Sequence, residues 1–408
     1  MSIRLLVALI TIIVFLEETT AAATYNVKSF GAKPNGRTDS TKPLMSAWSA
    51  ACGSSKPATI FVPKGRYVVG GLRFRGPCKN RAITIRIDGT LMAPSNYGVL
   101  GDADYWLLFH GVDGVTIQGG TLDAQGAGLW ACKSSNSKNC PSGATSLAIS
   151  NSNNVVVNGL SSLNSQMFHI VVNGCRNVRM VGVNVVAPWD SPNTDGIHVQ
   201  LSTGVTILNS KLSTGDDCVS VGPGATNLWI ENVACGPGHG ISIGSLGKDL
   251  KEAGVQNVTV KRVTFKGTQN GLRIKSWARP SSGFVNGVLF QNAIMTDVQN
   301  PIVIDQNYCP GSINCPDQVR VPVLFASVNL HLLSVSGVKI SNVKYEDIHG
   351  TSATKVAVKF DCSKKSPCRG ITMQDVNLSF KNQLLSASAY CVNAGGKASG
   401  VIKPTSCL

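Results

Sequence analysis

Acidic side chains are in short supply: Asp and Glu number 22 against 37 Lys and Arg, so the 408 residues carry a net charge of +15. That balance favours a polyanionic partner. Runs of basic residues are missing, and so is the interleaved aromatic platform of single-strand binders, which removes nucleic acid as that partner. Aromatic residues make up only 6% of the chain. Helical periodicity is scarce, with Thr41 to Cys52 the one convincing amphipathic stretch. After residue 16 no apolar run approaches the length needed to cross a bilayer, so no membrane span is expected. No cysteine pair has zinc-site spacing with a matching partner pair, so no metal is expected either.

At the N-terminus Arg4 precedes an apolar run from Leu5 to Leu16, and Ala21-Ala22-Ala23 supplies small residues for cleavage. This pattern predicts a secretory signal over residues 1–23 and an extracellular mature chain, 24–408. Removing Arg4, Glu17 and Glu18 with the leader leaves 36 basic against 20 acidic residues. Thirteen cysteines in an exported chain predict disulfides. Proximity pairs Cys52/Cys78, Cys132/Cys140, Cys218/Cys235, Cys309/Cys315, Cys362/Cys368 and Cys391/Cys407, leaving Cys175 as a buried thiol. Asn257-Val258-Thr259 and Asn377-Leu378-Ser379 are glycosylation acceptors if exposed.

What the chain has in quantity is short apolar alternations, each opened by Gly or Asn. They begin near Gly114, Asn154, Asn177, Gly204, Asn227, Asn257, Gly287, Gly337 and Gly370. A recurrence every 23 to 33 residues for most of them is the period of a solenoid, not of a hairpin barrel or sandwich. The expectation is an all-β single domain, a right-handed parallel β-helix, with Thr41 to Cys52 as a short N-terminal capping helix. One interval breaks the rhythm, since Gly287 to Gly337 spans 50 residues. The excess lies in the apolar segment 320–335, expected to be a foreign insertion whose deletion raises soluble yield.

Within the solenoid stand four short motifs: Asn193-Thr194-Asp195-Gly196, Gly215-Asp216-Asp217, Gly238-His239-Gly240 and Arg273-Ile274-Lys275. Asp195, Asp217 and His239 lie 22 residues apart and 22 again, each two residues before an apolar alternation. Coiling would stack them about 4.8 Å per rung. Three carboxylates in one patch raise the proton affinity of at least one of them, the arrangement that acid/base cleavage of a glycosidic bond requires. Arg273 and Lys275 share strand parity and suit the carboxylates of an acidic polysaccharide. Trp277 has the same parity and could offer a sugar platform. His198 faces outward too, as a substrate contact or a structural group. His110, His169, His331 and His349 read as structural.

Taken in order, the four motifs resemble those of the polygalacturonases, glycoside hydrolase family 28. Phe30-Gly31-Ala32 through Gly36 and Asp39 is similar to the start of plant members, and Tyr308 in Asp305-Gln306-Asn307-Tyr308-Cys309 matches the tyrosine of the family's site. The likeness runs from about Tyr25 to the C-terminus, apart from 320–335. It implies inverting hydrolysis of α-1,4 bonds between galacturonic acid units in the cell wall. Asp216 would be the general acid, Asp195 and Asp217 would hold the water, and His239 would tune the acid. Asn193, Arg273, Lys275 and Tyr308 would bind substrate, with no metal or cofactor. The chain looks closest to pollen-type members, which implies an enzyme acting from chain ends, and a monomer is expected. The alternatives are endo cleavage, a calcium-dependent pectate lyase and a non-catalytic wall-binding protein.

Overall fold

The computed structural model describes residues 22–135, 139–310, 335–382 and 385–408. The chain winds as a right-handed parallel β-helix. One wall is an 11-stranded sheet, and 19 further strands form the remaining walls. Five strands of the 11-stranded wall matter for function and are labelled β1 (Ile197–Gln200), β2 (Val219–Val221), β3 (Ile241–Leu246), β4 (Asn270–Trp277) and β5 (Asn300–Tyr308). Each pairs in parallel with the next.

Alternation decides which side chains go inside. Ile197, Val219, Ile241, Leu272 and Ile302 align in one buried column, and Val199, Val221, Ile243, Ile274 and Ile304 in a second. Residues between those columns point out of the coil. They are His198, Ser220, Ser242, Arg273 and Val303.

The turn into each coil requires a left-handed residue, which selects Gly or Asn. Gly114, Asn154, Asn177, Gly204, Asn227, Asn257, Gly287, Asn342 and Gly370 all have positive φ, between 54° and 72°. The asparagines also bond along the column: Asn177 donates to Asn154 at 3.2 Å and Asn257 to Asn227 at 2.6 Å. The eighth of these openings is at Asn342 and not at Gly337, because Asn286 pairs with Ser341 and Val288 with Val343. Equivalent positions are therefore 55 residues apart across this coil, as between Asn292 and Asp347, against 30 between Asn227 and Asn257. The segment 320–335 lies outside the described residues except for Val335.

The expected cap is present as a helix, α1 (Thr41–Gly53), whose buried face is Leu44, Ala47, Trp48 and Ala51. Trp48 meets Phe74 and Phe109 edge-on, at ring-centre distances of 5.2 and 6.0 Å, and so closes the N-terminal mouth of the coil. A second helix, Ala127–Ser134, is not announced by the sequence, since its eight residues bury a single side chain, Leu129. Five of the proximity pairs are disulfides: Cys52–Cys78, Cys132–Cys140, Cys218–Cys235, Cys362–Cys368 and Cys391–Cys407. Cys175 is a free, buried thiol. Cys315 of the sixth pair lies outside the described residues. Of the expected leader, residues 1–21 lie outside them as well, and the first strand already opens at Ala23. Asn257 and Asn377 are both exposed. No helix among the described residues is long and apolar enough to cross a membrane.

Candidate active site

The residues of the first three motifs sit in the turns that lead into β1, β2 and β3, those of the fourth lie within β4, and backbone bonds stack the turns. The Gly196 amide donates to the Asp217 carbonyl at 2.9 Å, Cys218 to Gly240 at 2.8 Å and His239 to Asp216 at 2.7 Å. Close stacking explains two motif glycines. A Cβ on Gly215 would lie 2.1 Å from the Ser191 carbonyl oxygen, and one on Gly240, at φ +92°, 2.1 Å from that of Asn270. The Cys218–Cys235 disulfide ties β2 to the strand that follows it.

Stacking brings the three carboxylates together, but into unlike surroundings. Asp217 is buried and fully bonded. Its Oδ1 accepts from Ser242 Oγ at 2.8 Å and from an Arg273 guanidinium nitrogen at 2.7 Å, and its Oδ2 from Lys275 Nζ at 2.8 Å. Burial by itself would push this carboxyl up, but the Lys275 and Arg273 charges outweigh it and hold Asp217 below the usual carboxylate range. Asp195 is also buried, and its one side-chain bond is from Ser220 Oγ at 2.6 Å. Burial, then the charges of Asp216 and Asp217, push it well above that range. Crowding therefore acts on Asp195, whereas the resemblance makes Asp216 the acid. Asp216 is the accessible one, its side chain 20% exposed. It accepts from the Asp217 amide at 2.8 Å, meets His239 Nδ1 at 3.0 Å and lies 3.5 Å from Asn193 Nδ2.

An open groove of about 960 Å³ runs over this cluster. Asn193, Asp195, Asp216, Asp217, Lys275 and Tyr308 line it. His239 and Arg273 bond to lining residues, Asp216 and Asp217 respectively, without being part of the lining. Arg273 donates from Nε to Ser242 at 2.9 Å as well as to Asp217, so its charge is directed at the carboxylate and not at the groove. Lys275 Nζ has further donors to spare beyond its bond to Asp217, and it lies 5.2 Å from the Tyr308 ring centre.

Trp277 is not the expected platform. The pairing of β4 with β5 shifts register between Lys275 and Trp277, and the indole packs edge-on behind Tyr308 at 5.6 Å. The groove's rings are Tyr308 and Phe168, the latter 5.3 Å from the His198 ring centre. Phe168, Gln200, Ser220, Lys248 and Glu252 line the groove without a sequence motif to announce them. For Ser220 and Gln200 a signal was available, the outward parity of Ser220 between Val219 and Val221 and of Gln200 after Val199. His198 joins the groove, bonded through Nδ1 to Ser220 Oγ at 2.8 Å. His169 is buried against Ser162, His349 pairs with Asp347 on the surface, and His331 lies outside the described residues.

Potential ligand atoms of Asp216, Asp217 and His239 lie within 4.8 Å of one another. This donor set does not suit a divalent cation. Asp217 is already saturated by two positive charges and a hydroxyl, which would repel the ion and compete for its oxygens.

The family model "Glycosyl hydrolases family 28" matches residues 52–400, and a shorter match over 24–72 is to "Rhamnogalacturonase A/epimerase, pectate lyase-like". A polygalacturonase of Prunus persica is 61% identical over 99% of both chains. An exopolygalacturonase of Platanus acerifolia is 41% identical, over 93% of this chain and 97% of its own. Among solved structures, an endo-xylogalacturonan hydrolase from Aspergillus tubingensis superposes with a TM-score of 0.77 at 22% identity, covering 93% of this chain and all of its own. A hyperthermoactive exopolygalacturonase from Thermotoga maritima gives 0.70 at 17%, over 87% of each. At those identities the likeness speaks for the fold alone. With the model spanning the coils that carry all three carboxylates, the chain belongs to family 28 of the glycosyl hydrolases.

Proposed function

We propose that this chain is a secreted polygalacturonase that hydrolyses α-1,4 bonds between galacturonic acid units of pectin with inversion. The observation that carries this reading is a carboxylate cluster lining a groove with one accessible member, Asp216, backed by His239 and flanked by Lys275. Asp216 is the member that can reach a leaving-group oxygen, so it serves as the general acid, with His239 governing its protonation. Asp195 and Asp217, on adjacent rungs, hold and activate the attacking water. Asn193, Lys275 and Tyr308 contact the sugar, and the free donors of Lys275 take a substrate carboxylate. Arg273 supports binding from behind Asp217. Asp216→Asn should lower sugar release from polygalacturonate by roughly 10²- to 10⁴-fold while leaving substrate bound. Turnover near the wild-type value would remove the assignment of the acid.

We infer exo action, releasing galacturonic acid from chain ends in the cell wall, from the similarity to plant exopolygalacturonases of Platanus acerifolia and Zea mays. One observation favours the endo alternative: past Phe168, His198 and Gln200 the groove continues over Asp104, Tyr105 and Thr145. Product sizing on a defined galacturonate oligomer separates the two. Monomer first supports exo action, and a ladder of intermediate lengths supports endo. The leader at 1–23 and the foreign character of 320–335 belong to the same reading, tested by N-terminal sequencing of the exported protein and by soluble yield of the deletion variant.

A further inference from the structure

Strand pairing sets His198, Ser220, Ser242 and Arg273 in one outward column across β1 to β4. The two serines occupy equivalent positions one rung apart and make equivalent bonds. Ser220 Oγ donates to Asp195 Oδ2 at 2.6 Å, and Ser242 Oγ donates to Asp217 Oδ1 at 2.8 Å. Each hydroxyl also has a nitrogen beside it: Arg273 Nε lies 2.9 Å from Ser242 Oγ, and His198 Nδ1 lies 2.8 Å from Ser220 Oγ.

A hydroxyl has one proton, and in the ionised form in which Asp195 takes a proton from water the carboxylate can only accept. With that proton given to the carboxylate, the serine oxygen must accept from the nitrogen. Arg273 satisfies this as a permanent donor. His198 satisfies it only in the tautomer with its hydrogen on Nδ1. Burial pushes the His198 imidazole down and so favours the neutral ring, which has a single N–H to place. Its Nε2 faces the Gln200 side-chain amide at 3.2 Å, a group able to turn either its oxygen or its nitrogen to the ring. Phe168 packs along the imidazole face and limits its rotation.

We propose that His198 and Ser220 are positioning residues of the hydrolysis, a relay in which the imidazole Nδ1–H fixes the Ser220 hydroxyl so that its proton points at Asp195. The relay rests on the polygalacturonase reading and adds to it the groups that orient the first of the two water-holding carboxylates. It is the neutral counterpart of the Arg273–Ser242–Asp217 chain one rung on. Neither His198 nor Ser220 moves a proton to substrate in this scheme. They hold one oxygen of Asp195 and leave the other for water.

A double-mutant cycle on the full chain tests the relay. Ser220→Ala should lower kcat about tenfold to a hundredfold, with KM within about twofold, as expected for a lost hydrogen bond to a charged group felt in the transition state. His198→Ala should do the same. Because both act through one chain, the double variant should be no slower than Ser220→Ala alone. His198→Asn, which keeps an N–H donor near the Nδ1 position, should recover most of the loss. Losses that multiply, a Ser220→Ala variant with more than half the wild-type kcat, or a rise in KM in place of the fall in kcat would each overturn the proposal. Should Ser220→Ala fail to fold, the contrast between His198→Ala and His198→Asn decides it alone, equal activities overturning it. An active wild type with multiplying losses sinks the relay only, whereas a wild type that releases no sugar from polygalacturonate sinks the hydrolase reading with it.

Discussion

Asp195 and Asp217 occupy the same position on consecutive coils, and each accepts a hydroxyl from the serine one rung ahead. Their electrostatics nevertheless run in opposite directions. Asp217 has two cations on it and is held in its ionised form; Asp195 has none bonded to it and is pushed toward its protonated form. Equivalent backbone geometry therefore does not confer equivalent chemistry. What separates the two is which coil supplies Arg273 and Lys275. Such asymmetry suits a pair that holds water, with one carboxylate fixed as an ion and the other disposed to take up the proton the water gives up.

The comparison can be broken most directly through stability. Asp217→Asn leaves the side chains of Arg273 and Lys275, 10% and 8% exposed, without a counter-charge. A loss of about 3–5 kcal/mol is expected for an uncompensated buried charge. Asp195→Asn removes a group already disposed to be neutral, and its amide oxygen can still accept from Ser220, so a change within about 1 kcal/mol is expected. Urea unfolding of the two variants checks this, and equal losses would end the distinction.

A smaller effect should appear in the pH profile. Removing Lys275 lets burial raise the Asp217 carboxyl, so the acid limb of kcat/KM should move to higher pH in Lys275→Ala. Roughly tenfold loss at the acid edge is expected. Lys275→Arg, keeping the charge, should move the limb less. An unmoved limb in the alanine variant would show that Lys275 does not govern Asp217.

The least effect concerns stability against pH, where the two carboxylates should have opposite signs. Asp217, with its pKa depressed, contributes stability that is present above the unfolded value of about 3.9 and is lost as pH falls through its folded value. Asp195, with its pKa raised, contributes stability that is full below about 3.9 and is lost as pH rises through its folded value. Unfolding free energy of Asp195→Asn should therefore decline less than that of wild type as pH rises from about 4. A decline as steep as that of wild type would mean that Asp195 is not the destabilised group.

Much of the coil was legible because left-handed turn positions accept few residues. Asn154, Asn177, Asn227 and Asn257 open their coils as expected, and each has positive φ. Gly337 misled for a physical reason. Its glycine is needed for close approach, since a Cβ there would lie 2.5 Å from backbone atoms of Ser281, and it does not make the turn. Sequence does not distinguish a glycine required by φ from one required by packing. Trp277 misled in a similar way, because strand parity assumes an unbroken register and β4 shifts against β5 after Lys275. Phe168 stands two residues before Ile170, which pairs with Ile197, so it shares the position of Asp195 one coil earlier, outside the spacing of 22 that marks the others; Lys248 reaches the groove from a turn with no repeating position to mark it.

The repeat of 22 residues and the period-two alternation were enough to stack Asp195, Asp217 and His239 on one wall, because strand pairing in a coil is local and its register follows the buried face. The division of charge among those carboxylates was not contained in that pattern. Arg273 and Lys275 lie 56 and 58 residues beyond Asp217, and only the winding of the intervening coils decides that their side chains end on it and not on Asp195. Coulomb interaction at hydrogen-bond distance in a buried setting depends on ångströms, and those are set by tertiary packing.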